Sequence, residues 1–302
     1  MTDLIGDIHG HADELEALLK KLGYQKNNGV YSHPERKVLF LGDYIDRGPQ
    51  IERTLEIVRS MVESGNAIAL MGNHEYNALC FHFEDPGGGH LRKHLIKNIN
   101  QHYQTLNQFK NKQKDYDDYL EWFKSLPLYY ETDGFRAVHA CWDENNIQLL
   151  RQKLVNDRLT DELIYESAQK GTDLHNAVEQ TLKGKEIGIP AGYGFSDKDG
   201  IERTEIRIKW WEDPSTQTYR SISVVPGNDL PDHPLDLSAL DSRDYYPHTE
   251  KTVFFGHYWL EGSPSPFRHN VCCLDYSVAK GGQLVAYRFD GEEKTEIHRM
   301  IT

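Results

Sequence analysis

The chain has 302 residues and a mass of 34.9 kDa, enough for one large domain or two ordinary ones. Acidic residues outnumber basic ones by 47 to 34, and the formal net charge of -13 argues against nonspecific binding to nucleic acid or anionic membranes. No apolar run approaches the roughly eighteen residues of a membrane-spanning helix. Any anionic substrate must therefore be held by local positive charge.

The N-terminal residues and the cysteines predict a cytoplasmic protein. Acidic residues begin at Asp3, where a secretory signal would have basic residues followed by an apolar stretch. The four cysteines are too few and too irregularly spaced for a disulfide framework or a CxxC zinc site. We therefore expect free thiols in a reducing compartment.

The first third of the chain predicts a series of βαβ units. Apolar runs at 3–6, 37–41 and 67–71 predict buried strands, and helical spacing at 13–22 and 51–62 predicts the helices between them. Each strand ends in a loop rich in Asp, Gly, Asn or His. Because ligands bind at the carboxyl ends of strands in open α/β sheets, we expect these loops to converge.

The rest of the chain is less regular. A Gly-rich hinge and long polar helical stretches predict a cap inserted at about 81–124, and a second helical insertion is predicted at about 146–182. A hairpin is predicted over 128–140, with Asp133-Gly134 as its turn. Further β-like runs lie at 221–225, 252–255, 271–274 and 284–289. Without repeats or a flexible tether, we predict a single domain over 1–302 with these two insertions.

Candidate metal ligands follow five of the β-like runs. They lie in the strings GDIHG, GDYIDRG, GNHE, VHACW and FGHYW, and they include Asp7, His9, Asp43, Asn73, His139 and His257. One carboxylate beside one imidazole is common by chance, but nitrogen or oxygen ligands in five strand-end loops indicate a metal site. Imidazole, carboxylate and amide ligands suit Mn, Fe, Zn or Co at two adjacent positions.

As an ordered set, these motifs resemble the calcineurin-like metallophosphoesterases. Within that family they are most similar to the phosphoprotein phosphatase group, which includes bacterial symmetrical diadenosine tetraphosphatases. The resemblance covers residues 3–80 well and 126–142 and 252–290 recognisably, and it fails over the two insertions. It implies a four-layer α/β/β/α sandwich with helical insertions, whereas periodicity alone predicts only a mixed α/β fold.

The resemblance also implies two metal ions and their ligands. The first ion would be held by Asp7, His9 and Asp43. The second would be held by Asp43, Asn73, His139 and His257, so that Asp43 bridges the two. Two cations about 3.5 to 4 Å apart neutralise a phosphoryl group, and the hydroxide that they share is acidic enough to attack it in line. The ligands accept divalent or trivalent ions; manganese is expected in vitro, with iron or zinc as alternatives.

Three further residues would carry the chemistry in this family. His74 would be the general acid that protonates the leaving oxygen, and Asp46 would orient its ring and keep it protonated. Arg47 would clamp the phosphate oxygens with its planar guanidinium, and Asn73 is expected to contact the substrate as well. The alternative for Asp46 and Arg47 is a surface salt bridge before a helix, but the whole GDYIDRG string favours the catalytic role.

A second phosphate-binding arginine is less well defined. The string WWEDPSTQTYR resembles the family's Trp-x-Asp-Pro segment, which makes Arg220 the candidate, with Arg207 and Arg203 as competitors. A solvated arginine at a strand edge is an equally good interpretation. Tyr276 is a candidate for lining the substrate pocket, although an aromatic residue between strands more often belongs to a core.

The remaining histidines are interpreted as surface residues of polar loops or helices. They include His11, His33, His90, His94, His102 and His175. The aromatic residues of the first insertion fall at helical spacing, which favours packing over substrate stacking.

Two hydrolytic functions remain open. One is a cytoplasmic phosphomonoesterase, with phosphoserine or phosphothreonine in proteins among its candidate substrates. The other applies the same chemistry to phosphoanhydrides, for example by symmetrical cleavage of dinucleoside tetraphosphates. A metal-binding module without catalysis would lack an acid or a clamp, and both are present. The expected partners are a phosphorylated small molecule, a nucleotide or a phosphoprotein, but neither nucleic acid nor membrane.

Overall fold

The computed structural model describes residues 1–190, 192–193, 195–196, 202–225, 230–239 and 245–302. The strands are β1 (Thr2–Ile5), β2 (Gln25–Asn27), β3 (Val30–Ser32), β4 (Lys37–Phe40), β5 (Ala67–Ala69), β6 (Tyr129–Glu131), β7 (Phe135–Val138), β8 (Glu186–Gly188), β9 (Phe195–Ser196), β10 (Glu202–Arg203), β11 (Glu205–Arg207), β12 (Thr252–Phe255), β13 (Val271–Cys273), β14 (Asp275–Tyr276), β15 (Gln283–Leu284), β16 (Ala286–Phe289) and β17 (Met300–Ile301). The α-helices are α1 (Ala12–Lys21), α2 (Ile51–Glu63), α3 (Asn73–His82), α4 (Ile96–Phe109), α5 (Gln113–Lys124), α6 (Glu144–Lys153), α7 (Asp161–Ala168), α8 (Asp173–Lys183) and α9 (Tyr219–Ile222). Short 3-10 turns lie at Pro214–Thr216, Leu237–Ala239, Val278–Lys280 and Ile297–Arg299.

Two central sheets carry the architecture. The first has the order β17-β16-β1-β4-β5, in which β1, β4 and β5 are parallel and β16 runs against β1. The second has the order β13-β12-β7-β6, in which β12 is parallel to both β13 and β7. The βα units predicted over residues 3–71 are confirmed. The predicted hairpin is also confirmed, because β6 and β7 pair antiparallel.

The core lies between the two sheets and on their outer faces. Successive strand residues point to opposite faces, so Leu4 and Leu39 meet Phe254 of the second sheet in the layer between the sheets. Their neighbours Ile5 and Phe40 belong to the larger cluster that contains the buried helical residues. Burial on both faces explains the consecutive apolar residues at 4–5, 38–40 and 67–69. The predicted mixed α/β sandwich is confirmed.

The strand predicted at 221–225 is wrong. Tyr219–Ile222 forms the short helix α9, which begins after Thr218. The Ser221 N–H donates to the Thr218 hydroxyl and the Thr218 N–H donates to the Ser221 hydroxyl, at 3.1 and 2.8 Å. This reciprocal capping box favours a helix where the alternating sequence pattern predicts a strand. The helix also buries Tyr219 and Ile222.

The two predicted insertions are helical. The first contains α4 and α5, which pack against α2 and α3 respectively, and the second contains α6, α7 and α8. The first insertion therefore lies against the helices that follow GDYIDRG and begin at GNHE. The four cysteines are buried and form no disulfide in the described chain. Within the described ranges, every helix falls short of the length and apolar character needed to cross a membrane.

Candidate metal centre

The loops after β1, β4, β5, β7 and β12 bring the predicted ligands together. His9 Nε2 lies 3.6 Å from Asp43 Oδ2, and His139 Nε2 lies 3.5 Å from the same oxygen. The candidate ligand atoms form two groups, and within each group all atoms lie within 4.8 Å of one another. One group consists of His9, Asp43 and His74, and the other consists of Asp43, His139 and His257. Asp43 belongs to both groups, which is the position that a bridging ligand needs.

Asp7 and Asn73 flank these groups. The buried Asp7 carboxylate accepts a hydrogen bond from the His257 N–H, with N–O distances of 3.0 and 3.2 Å. Asn73 Oδ1 lies 3.1 Å from His139 Nε2. The structure thus brings all six predicted ligands into one buried cluster. His74, predicted as the acid, lies inside the same cluster.

Two glycines permit this close approach. A Cβ atom on Gly256 would lie 1.9 Å from Asp7 Oδ1, and one on Gly72 would lie 2.2 Å from Asp43 Oδ1. Real Cβ atoms do not approach other atoms so closely. The glycines that precede His257 and Asn73 therefore provide the space in which the carboxylates lie.

The hydrogen bonds of the two imidazoles test whether the cluster fits metal ions. His9 Nδ1 donates to the Ile45 carbonyl at 3.0 Å, and His139 Nδ1 donates to the Leu41 carbonyl at 2.8 Å. With its proton on Nδ1, the His9 ring turns the Nε2 lone pair toward the Asp43 carboxylate. His9 Nε2 is buried and has no hydrogen-bond partner among the residues that the structure describes. A nitrogen lone pair that faces a carboxylate oxygen is stable only with a cation between the two atoms. The residues of the cluster therefore fit the predicted metal ions.

The electrostatics lead to the same conclusion. Burial lowers the pKa of His9 to about 4, which keeps its nitrogen available as a ligand. Burial opposes the protonation of His139, but the charge of Asp43 outweighs it and raises the pKa of His139 to about 10. Burial, and then the charge of Asp275, raise the pKa of Asp7 well above its usual value. The cluster has an excess of negative charge that a proton, or a metal ion, relieves.

The predicted acid and its partner are in direct contact. His74 Nδ1 donates to Asp46 Oδ2 at 2.5 Å, and both residues are buried. Burial acts to lower the pKa of His74, but the Asp43 charge and the Asp46 hydrogen bond raise it above its usual value. Burial would raise the pKa of Asp46, yet hydrogen bonds from His102 and His74 hold it below its usual value. The pair therefore favours a protonated imidazole beside an ionised carboxylate.

The backbone of the ligand loops is left-handed at several non-glycine residues. The φ angle is 47° at His9, 55° at Asp43, 65° at Asp46 and 62° at Arg47. Such conformations cost energy for residues with a Cβ atom and cluster at functional sites. Arg47 is exposed, and its guanidinium carbon lies 5.5 Å from the ring centroid of Trp259.

The three candidate arginines differ in their surroundings. Arg207 donates from Nη1 to His257 Nε2 at 3.0 Å and from Nη2 to Glu186 at 3.0 Å. Arg220 instead pairs with Asp232 at 3.1 Å and donates to the Leu230 carbonyl at 2.9 Å. The described contacts therefore place Arg207, the competitor, at the metal cluster, whereas those of Arg220 lie elsewhere. The side chain of Arg203 lies outside the described part of the structure.

Tyr276 belongs to the core between the sheets and also lines a cavity together with Leu260 and Lys280. It is 5% exposed and belongs to the inter-sheet cluster. Its hydroxyl accepts from the Ser265 N–H at 2.9 Å and donates to the Ser265 carbonyl at 3.1 Å. These contacts agree with the core interpretation of Tyr276, and its role in lining the substrate pocket stays a prediction.

The sequence prediction missed a structural role for Glu75. Its Oε2 accepts from the N–H groups of Asp43 and Gly72 at 2.9 and 3.0 Å, and its Oε1 accepts from the Tyr44 N–H at 2.8 Å. The residue thus joins the loops after β4 and β5. The signal was available, because Glu75 is the third residue of α3, where a capping carboxylate is typical.

The prediction of His102 as a surface residue is wrong. It is 5% exposed and reaches Asp46 from α4. Trp259 was also missed: its indole stacks on His9 with a centroid distance of 5.3 Å. Trp259 is the last residue of the FGHYW string, so its position two residues after the candidate ligand His257 was the available signal.

Comparison with known proteins agrees with this geometry. The family model of the calcineurin-like phosphoesterases matches residues 2–258. The chain belongs to this family. The family implies divalent metal ions, for which the cluster provides the ligands.

Relatives of this phosphoesterase include asymmetrical bis(5'-nucleosyl)-tetraphosphatases named PrpE. The protein from Oceanobacillus iheyensis is 34% identical over 139 residues, which cover 46% of this chain and 54% of the relative. The protein from Bacillus cereus is 30% identical over 190 residues, which cover 61% of this chain and 74% of the relative. This chain thus spans about half the length of the first relative.

A solved structure supports the fold. The cold-active protein-tyrosine phosphatase of a psychrophilic Shewanella species aligns with a TM-score of 0.52 and 18% identity. The alignment covers 96% of this chain and 78% of that protein. At this identity the likeness concerns the fold alone.

Proposed function

We propose that the protein is a dinuclear metal-dependent phosphoester hydrolase. The observation that carries the proposal is that Asp43 is shared by two groups of ligand atoms, with the His74–Asp46 pair beside them. One ion would be held by Asp7, His9 and Asp43. The other would be held by Asp43, Asn73, His139 and His257. When bound, the ions would supply charge neutralisation for the phosphoryl group and activate water.

The side chains of the chain itself would bind the phosphoryl group and move the proton. As the phosphorus–oxygen bond breaks, its electron pair leaves with the ester oxygen, which takes the proton from His74 Nε2. Asp46 retains the Nδ1 hydrogen bond and so stabilises the imidazolium before the transfer. A proton from the attacking water restores the acid. Arg47, which is exposed beside the cluster, would hold the phosphate oxygens.

Phosphomonoesters, including phosphoserine or phosphothreonine in proteins, are our first candidate substrates. Dinucleoside tetraphosphates are the second candidate, and the names of the PrpE relatives favour them. Those relatives are named for asymmetrical cleavage, which would yield ATP and AMP from diadenosine tetraphosphate, whereas symmetrical cleavage would yield two ADP. We keep manganese as the metal for assays, with iron and zinc as alternatives, and the cytoplasm as the expected compartment.

The test is a phosphorus NMR time course of manganese-loaded protein with a phosphoserine peptide and diadenosine tetraphosphate in one mixture. Orthophosphate from the peptide is expected for the monoesterase. ATP with AMP, or ADP alone, would assign the anhydride substrate and its mode of cleavage. Asp43→Asn is the control, because it should abolish every product that the metal centre makes. A wild-type protein that binds two metals and changes neither substrate would contradict the proposal.

A further inference from the structure

Two buried side chains of α4 reach the acid pair from the first insertion. His102 Nδ1 donates to Asp46 Oδ1 at 2.8 Å, and the Thr105 hydroxyl donates to the same oxygen at 2.6 Å. The Thr105 hydroxyl also accepts from the Asp46 N–H at 3.1 Å. His102 is 5% exposed and Thr105 is fully buried. Since Asp46 Oδ2 accepts from His74, both carboxylate oxygens are engaged.

The hydrogen bonds continue into α5. His102 Nε2 lies 2.7 Å from the hydroxyl of Tyr116, which is buried. In the tautomer whose Nδ1 proton is donated to the Asp46 carboxylate, Nε2 of His102 accepts the Tyr116 proton. The bonds therefore run from His74 through Asp46 and His102 to Tyr116. This chain fixes the tautomer of His102 and joins the acid to both helices of the insertion.

We propose that His102 and Thr105 are positioning residues for proton transfer from His74, which makes the first insertion part of the active centre. The proposal rests on the function proposed above. A general acid works only when its proton lies within hydrogen-bond reach of the leaving oxygen. Two donors on Asp46 Oδ1 prevent the carboxylate from rotating, and the carboxylate in turn holds the His74 ring.

The leaving group separates this role from a merely structural one. A serine alkoxide is a poor leaving group and needs a proton, whereas p-nitrophenolate leaves without one. Loss of the positioning contacts should therefore lower kcat about tenfold for a phosphoserine peptide, a part of the hundredfold or more that a general acid supplies. For p-nitrophenyl phosphate, kcat should change less than about twofold, because its departure does not use the acid.

Thr105 offers a matched pair of variants. Thr105→Val keeps the shape and removes the hydroxyl, while Thr105→Ser keeps the hydroxyl and should restore kcat on the peptide. Gln108→Ala is the control for helix docking. Gln108 also lies on α4 and binds the Ile51 N–H at 2.7 Å and the Gly48 carbonyl at 3.2 Å, but not Asp46. All variants are assayed with two bound metal ions per chain, measured by elemental analysis.

A selective loss on the peptide in Thr105→Val, absent from Thr105→Ser and Gln108→Ala, is the expected result. Equal losses on both substrates, or the same loss in Gln108→Ala, would overturn the proposal. Should Thr105→Val fail to fold, His102→Asn is used instead. The measurement is then the NMR signal of the His74 Nδ1 proton, compared between His102→Asn and the wild type. An unchanged signal would overturn the positioning role, and a broadened or shifted one would support it. Wild-type protein inactive on both substrates would refute the proposed phosphomonoesterase rather than the positioning role, and the same variants would then be compared on diadenosine tetraphosphate.

Discussion

Asp43 and Asp46 lie three residues apart in one loop, yet the geometry gives them separate tasks. Asp43 belongs to both groups of ligand atoms, whereas Asp46 contacts His74, His102 and Thr105. We expect Asp43→Asn to bind fewer than two metal ions. Its activity should fall by about a thousandfold or more, because the transition state loses several kcal/mol of charge stabilisation from the metal ions.

Asp46→Asn should instead keep both metal ions. Its activity on poor leaving groups should fall by about a hundredfold, because His74 loses its charged partner. Elemental analysis and phosphate release, measured on the same preparations, separate the two effects. Loss of metal from Asp46→Asn would contradict this division of roles.

Arg207 is the residue whose contact must change when metal binds. A metal ion on His257 Nε2 would replace the Arg207 proton, and an ion on Nδ1 would leave a proton on Nε2 facing the guanidinium. In either case the contact between Arg207 and His257 would be lost, which would free the guanidinium to bind a phosphate at the metal cluster. We expect Arg207→Ala to weaken phosphate inhibition at least about tenfold, the usual value of a charged hydrogen bond, and to tighten metal binding by removing a like charge.

Arg220→Ala provides the matched control. Its ion pair with Asp232 has an exposed carboxylate, so its loss should leave both binding constants within about twofold of the wild type. Calorimetric titration with Mn²⁺ and the inhibition constant of phosphate give the two values. The reverse ranking of the two variants would reinstate Arg220 as the phosphate-binding arginine.

At the scale of the elements, the sequence predicted that the candidate ligands come together because each follows closely after a strand. Asp7, Asp43 and Asn73 lie at the carboxyl ends of parallel β1, β4 and β5, where chain order alone places them at one sheet edge. His102 could not be predicted in this way. Its helix α4 lies in an insertion that lacks the family motifs, and helical periodicity does not specify which face meets Asp46. The contact spans 56 residues and depends on tertiary packing.

The glycine before His257 provides a test at the same scale. Gly256 has an ordinary φ, so an alanine there would not strain the backbone, but its Cβ would overlap Asp7 Oδ1. We expect Gly256→Ala to displace Asp7 and to weaken one of the two metal sites at least about tenfold, with a destabilisation of about 1 to 3 kcal/mol from overpacking.

Gly188→Ala is the corresponding control. Gly188 also has an ordinary φ, and a Cβ there meets no atom of the described residues within 4 Å. Metal titration and urea unfolding of both variants check the prediction. Two tight metal sites in Gly256→Ala would contradict the prediction, because the Asp7 carboxylate would then tolerate a Cβ atom at position 256.

At the scale of the whole molecule, an acidic chain repels an anionic substrate, and the metal site would overcome this repulsion locally. The formal charge of -13 repels phosphate, and the ligand cluster itself has an excess of negative charge. The metal ions would reverse that charge locally, and Arg47 and Arg207 lie at the same edge. Substrate affinity should therefore depend on metal occupancy more than on the overall charge.

Global stability should show a separate dependence on pH through His82, at the end of α3. Burial lowers the pKa of His82 to about 4. The neighbouring His102, His94 and His90 lower it further, and only the charge of Asp117 among the larger contributions raises it. Its Nε2 is buried, and no described residue forms a hydrogen bond with it. Because the pKa in the folded state lies below that of the unfolded chain, near 6.5, the stabilisation is complete above pH 6.5 and is lost as pH falls toward 4.

We expect this loss to be about 2 kcal/mol in the free energy of unfolding, after allowance for the partial exposure of the ring. Urea unfolding of metal-free protein at pH 7.5 and 4.5 measures it, since EDTA removes the competing effect of metal release. His82→Gln cannot gain the proton and should lose about 2 kcal/mol less than the wild type over this interval. His298→Gln, with a side chain that is 72% exposed, is the control and should follow the wild type. If both variants lost stability as the wild type does, the acid sensitivity of the fold would arise from groups other than His82.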